Sequence, residues 1–155
     1  MTKNLSYFMR DSARHEEIIC VPGPETVVDD EGRPVVFEIK VLSQKTVQDI
    51  TGRYRTKSVA LDADRQPYIS GGEVVYQTDT DYARAARHLI VEALQYPNLK
   101  DPELMNFFNC HDITQMPLLV FPKSGEYAFV SRAVFEALGL LRPQKNNRDV
   151  EEAKN

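Results

Sequence analysis

Tyr96-Pro97-Asn98-Leu99-Lys100-Asp101-Pro102-Glu103-Leu104 lies between two segments of helical period. Pro97 has no backbone N–H and restricts the residue before it, so the preceding helix is expected to end near Gln95. Asp101 offers a side-chain oxygen to the unpaired N–H groups of a new helix, and Pro102 suits its first position. One helix stops and another starts within about six residues, the length of a short helix–helix connection. Alone, the stretch describes a corner between packed helices. What flanks it decides the fold.

Before the corner, Tyr82, Ala85, Ala86, Leu89, Ile90 and Ala93 fall on one helical face, the clearest amphipathic pattern in the chain. Asp79 or Asp81 can cap that helix. After the corner, a helix is expected from Asp101 to about Asn109, then an apolar run 113–121 broken by Pro117. Residues 124–138 carry Tyr127, Phe129, Val130, Ala133, Val134, Ala137 and Leu138 at helical spacing, and Gly139 is placed to end the helix in a left-handed cap.

The N-terminal part reads differently. Ile18-Ile19-Cys20-Val21 and Thr26-Val27-Val28 favour strands, and Pro22-Gly23-Pro24 bends them apart. Asp29-Asp30-Glu31-Gly32-Arg33-Pro34 is a turn. Val35, Phe37, Ile39 and Val41 then alternate with Val36, Glu38 and Lys40, the period of a half-buried strand. Ser43 can cap a helix over 44–54 bearing Val47, Ile50 and Tyr54 on one face. Residues 55–72 are strongly punctuated by Asp62-Ala63-Asp64-Arg65-Gln66-Pro67 and Gly71-Gly72, and Val74-Val75-Tyr76 is a short strand candidate.

The pattern predicts an α+β fold: an N-terminal antiparallel β-hairpin within 16–42, packed on a mainly helical C-terminal region with helices near 44–54, 80–95, 102–109 and 125–138. Residues 1–141 are expected to form one domain, and 142–155 a flexible charged tail.

The chain has 155 residues, a net charge of −4 and a pI near 5.4. That balance disfavours a dedicated nucleic-acid binder, which needs a basic face. No apolar run approaches the roughly 18 residues of a membrane span, and the N-terminus has no signal-peptide core. Cys20 and Cys110 are expected to be two reduced thiols.

Catalytic material is thin. Cys110-His111-Asp112 has the residue types of a nucleophile system, but neighbours in sequence point apart, which argues against a working triad. Asp62, Asp64, Gln66, Ser70 and Glu73 match positions of a calcium-loop template, with Pro67 where the template needs glycine. His15, His88 and His111 lack paired cysteines for zinc. The expectation is a non-enzyme without metal or other cofactor. Phe107, Phe108, Phe121 and Phe129 are either core or the lining of an apolar groove for a partner.

The order of Asp-Glu-Gly-Arg-Pro (30–34), Val-Val-Phe-Glu-Ile-Lys (35–40), Tyr-Pro-Asn-Leu-Lys-Asp-Pro-Glu-Leu (96–104), Gly-Glu-Tyr-Ala (125–128) and Val-Phe-Glu-Ala-Leu-Gly-Leu (134–140) resembles the XkdN-like tail assembly chaperones of long-tailed phages and defective prophages. Asn98 stands where that family has an acidic residue, Lys123-Ser124 where it has a Pro-Gly pair, and 58–72 reads as an insertion. The resemblance implies a non-catalytic chaperone in the bacterial host cytoplasm that binds the tape-measure protein, keeps it soluble and is absent from the mature virion. It implies the tail-tube protein and a homo-oligomer as further candidate partners, and no nucleic acid or membrane. Phe107, Phe108, Phe121 and Phe129 are then the partner-binding candidates. The alternative is a small structural tail component, a connector or completion protein, retained in the virion; a regulatory metal-binding module would rest on the calcium-like spacing alone. Related chaperones are also made in a longer form by a −1 ribosomal frameshift, for which the Ala153-Lys154-Asn155 codons would be the slippery site.

Overall fold

A computed structural model of the chain describes residues 3–11 and 15–142. The expected charged tail, with the Ala153-Lys154-Asn155 end, lies outside the described residues beyond Arg142. The contacts divide the chain into two compact units, one within 1–41, 93–97 and 123–155, the other 42–92 and 98–122.

The first unit holds the expected hairpin. Strands β1 (Ile18–Pro22) and β2 (Val36–Lys40) pair antiparallel, from Ile18 opposite Lys40 to Pro22 opposite Val36. The alternation of β2 is real: Phe37 and Ile39 are buried while Val36 and Glu38 are exposed. Residues 26–28 do not extend the strand. Val28 makes only an isolated bridge to Pro34 around the acidic turn.

The largest departure from expectation is at the corner. The helix preceding it stops at Ala93, and Leu94–Tyr96 forms a strand, β7, antiparallel to β2 with Ile39 opposite Leu94 and Glu38 opposite Tyr96. The residue before a proline is pushed out of the α region. Once Tyr96 is extended, the backbone groups of 94–96 lose their helical partners, and the free edge of β2 supplies others. The sheet order is therefore β1-β2-β7. The Tyr96–Pro97 peptide is cis.

The helix Ser124–Ala137 also belongs to this unit and buries Val130 and Val134. Its end follows the sequence reading: Gly139, at φ +75°, donates to Glu136 O and Leu140 donates to Phe135 O at 2.9 Å.

The second unit begins with α1 (Gln44–Gly52), whose first turn is capped by the Ser43 hydroxyl accepting from Thr46 N–H. Strand β3 (Arg55–Val59) then runs to a tip and returns as β6 (Tyr76–Thr80), antiparallel from Arg55 opposite Thr80 to Val59 opposite Tyr76. At the tip, Ala60 donates to Val75 O, Val75 to Tyr68 O and Tyr68 to Ala60 O. That ring of bonds closes off two small turns, residues 62–66 and a hairpin of β4 (Ile69–Ser70) with β5 (Glu73–Val74). The stretch without a clear sequence pattern is thus a two-stranded ribbon with a forked tip.

Helix α2 (Tyr82–Ala93) is capped by Asp81, which accepts from Arg84 N–H, whereas Asp79 accepts from the Ser58 hydroxyl. It buries Ala85, His88, Leu89, Ile90, Val91 and Ala93. Tyr82, expected on that face, is 70% exposed. Beyond the corner, α3 (Pro102–Phe107) starts as expected, with Asp101 accepting from Glu103 N–H and Pro102 in its first turn. A 3₁₀ turn Ile113–Gln115 leads into α4 (Met116–Val120). Pro117 was expected to break this run; instead it sits in the first turn of α4, where its missing N–H has no intrahelical partner to lose. The Ser124–Ala137 helix completes the order as α5. All strand pairings between β1 and β7 are antiparallel, so the α+β expectation holds.

Candidate partner-binding surfaces

The polar groups around α2 fix the corner. His88 is only 5% exposed. Its Nε2 lies 3.4 Å from Glu92 Oε1, so the ring proton belongs there, and Nδ1 accepts from the Tyr54 hydroxyl. Lys100, in the corner, donates to both Glu92 oxygens at 3.1–3.2 Å. Burial holds the His88 pKa below its usual 6.5, against the pull of Glu92 and assisted by the Arg53 and Lys100 charges. For Glu92 burial acts upward, but the Lys100 bond and charge, with His88, bring its pKa below the usual carboxylate value. The chain Tyr54–His88–Glu92–Lys100 is fully satisfied and closed from water at its centre, so it ties the corner to α2 rather than offering a reactive group.

The suspected Cys110-His111-Asp112 cluster does capping work. The Cys110 thiol donates to Asp112 O at 3.1 Å. Asp112 Oδ1 accepts from Thr114 N–H (2.9 Å) and from the Thr114 hydroxyl (2.7 Å), and Oδ2 faces Arg84 at 3.4 Å. Those Thr114 bonds hold the Asp112 pKa below its usual value, with Arg84 and Arg87 adding to the effect. Arg87 also donates to Thr114 O at 2.8 Å. His111 is exposed. The three side chains have separate surroundings, as adjacent positions on a chain dictate.

The calcium-like residues are likewise divided. Asp62 Oδ1 accepts from the Asp64 and Gln66 N–H groups, while Ser70 and Glu73 face each other across the separate β4–β5 hairpin. Among the described residues no three His, Cys, Asp or Glu side chains are grouped to hold a metal ion.

The four phenylalanines have different fates. Phe107, on α3, is 79% exposed, and its ring meets Phe108 edge-on at 4.9 Å. Phe108 is half-buried. Phe121 is 1% exposed, which removes it from any accessible surface. Phe129, on α5 in the other unit, is 44% exposed.

Two further apolar surfaces lie apart from the four phenylalanines. Leu5, Tyr7, Phe8 and Met9 are all exposed on and just after a 3₁₀ turn, Leu5–Phe8. The ribbon exposes Leu61, Tyr68, Ile69, Val74 and Tyr76, and neither face of its β3–β6 ladder carries a fully buried residue. Among the described residues no helix is long and apolar enough to cross a membrane.

Known proteins place this architecture. The crystal structure of the protein YqbN superposes with a TM-score of 0.65 over 90% of this chain and 98% of that one, at 23% identity, which establishes the shared fold. In sequence the chain is 29% identical over 129 residues to the uncharacterised protein YqbN of Bacillus subtilis strain 168, spanning 81% of this chain and 76% of the relative. The model of the phage XkdN-like tail assembly chaperone family matches residues 5–154. This chain therefore belongs to the XkdN-like phage tail assembly chaperone family.

Proposed function

We propose that the protein is a tail assembly chaperone that binds the tape-measure protein and keeps it soluble until the tail tube has formed around it. The observation that carries this reading is the family match over 5–154. The surfaces support it. A long helical client exposes apolar stripes that aggregate, and a partner that covers them reversibly needs exposed apolar side chains of its own. Phe107, the Leu5–Phe8 turn and the ribbon supply them. No chemical step is part of this function: Cys110, Asp112 and His88 are engaged in capping and buried hydrogen bonds.

The retained structural component is the competing reading. Quantitative mass spectrometry of purified tails and of the assembling lysate separates the two. A chaperone is abundant in the lysate and absent from finished tails. A fixed stoichiometry in finished tails would establish a connector or completion protein instead.

A further inference from the structure

We propose that the ribbon of β3 and β6 is the docking element, and that its occupant is an acidic amphipathic helix. The proposal rests on the chaperone reading above and names the chemistry of the client segment.

Residues opposite each other in an antiparallel ladder share a face, and alternate residues along a strand share it too. One face of the ribbon therefore carries Arg55, Lys57 and Val59 from β3 with Thr80, Thr78 and Tyr76 from β6. The other carries Thr56 and Ser58 with Asp79 and Gln77. The single acid of the ladder, Asp79, is on this second face and accepts from the Ser58 hydroxyl at 2.8 Å. On the first face the two cations have no ion-pair partner among the described residues. Arg55, Lys57, Thr78 and Tyr76 are all exposed there.

A two-stranded ribbon with no fully buried residue on either face is only marginally stable in water, so a covering partner gains on both sides of the contact. The cation spacing selects the partner. Arg55 and Lys57 are two strand residues apart, about 6.7 Å. A helix advances about 6 Å over four residues, so carboxylates at i and i+4 meet both cations at once. The next pair along the ladder, Val59 with Tyr76, is apolar and faces the continuation of the helix stripe. Five paired positions span about 17 Å, which matches roughly 11 helical residues.

The test uses the full chain and a fluorescein-labelled synthetic helix with leucines at i, i+3, i+4 and i+7 and flanking glutamate pairs at i, i+4. Fluorescence anisotropy should show binding that weakens as salt rises. Arg55→Glu with Lys57→Glu should weaken it at least tenfold, and Tyr76→Ala should weaken it too, with unchanged thermal melts. A peptide with lysines in place of the glutamates should prefer the double variant. The proposal is overturned if wild type does not bind the acidic peptide or if the double variant binds it equally well. It is also overturned if the double substitution converts a wild-type dimer to monomers, which would make the ribbon a self-interface. Co-purification with the tape-measure protein separates the two levels. A double variant that still retains it at wild-type yield sinks the ribbon proposal and leaves the chaperone reading standing. A tape-measure protein that is soluble alone sinks the chaperone reading itself.

Discussion

Asp29 and Asp62 build the same turn twice. Each accepts, through one carboxylate oxygen, the N–H groups two and four residues ahead at 2.9–3.0 Å. Each donates its own N–H to the carbonyl four residues ahead at 2.8 Å. Each turn is closed by an isolated bridge to a proline, Val28 with Pro34 and Leu61 with Pro67. The residue three ahead is left-handed in both, Gly32 at φ +79° and Arg65 at φ +59°. The side chain that suggested a calcium ligand in Asp62 is thus occupied by its own backbone.

The pair predicts opposite responses to substitution. A non-glycine residue in the left-handed region costs about 1 kcal/mol or more. Arg65→Gly should therefore leave stability unchanged or raise it by up to about 1 kcal/mol, while Gly32→Arg should lower it by about 1 kcal/mol. Urea denaturation of the two variants checks the sign.

Gly23 should tolerate no side chain. A Cβ there would meet Phe37 Cε1 at 2.7 Å and the Val35 carbonyl oxygen at 2.7 Å. The same carbonyl accepts the Gly23 N–H at 2.8 Å, so backbone would have to move. Gly23→Ala should cost about 1–3 kcal/mol by overpacking, read as a lower urea midpoint.

His88 should make the fold acid-sensitive. Burial lowers its native pKa below 6.5, so the unfolded chain takes the proton first as pH falls. Its contribution to stability is then complete above pH 6.5 and declines as the pH drops toward the native value. The His88 Hε1 resonance should titrate with a midpoint below 6.5, and a midpoint above it would contradict the assignment. Tyr54→Phe leaves Nδ1 without its donor and should cost about 1–3 kcal/mol.

Phe107 and Phe121 should separate binding from folding. Phe107→Asp, at an exposed ring, should leave the melting temperature nearly unchanged and weaken client binding. Phe121→Asp removes a buried ring and buries a charge, so it should destabilise by about 3 kcal/mol or more. Circular dichroism melts of both variants make the comparison.

Local chemistry was legible in the sequence. Ser43, Asp101 and Gly139 perform the caps their types and positions suggest, and the alternation at Phe37 and Ile39 marks the buried face of β2. Long-range pairing was not. Leu94 and Gln95 read as the last residues of the helix that Pro97 ends, and only the presence of β2 makes an extended edge worth joining. The ribbon escaped because neither face of its strands is fully buried, so they lack the alternation that marks a half-buried strand. His88 carried a faint signal: it lies three residues after Ala85, on the apolar face of α2, where a polar residue needs a partner. Of the phenylalanines, sequence alone could not separate exposed Phe107 from buried Phe121, because burial depends on contacts between elements.

Solubilisation of the tape-measure protein, the role proposed for this chain, can be measured directly. The direct measurement is the soluble fraction of the tape-measure protein expressed in bacteria with and without this chain, at matched total expression. The expected result is a mostly insoluble tape-measure protein alone, and a soluble fraction that rises with the amount of this protein and co-purifies with it. A soluble fraction independent of this protein, with no complex recovered, would contradict it.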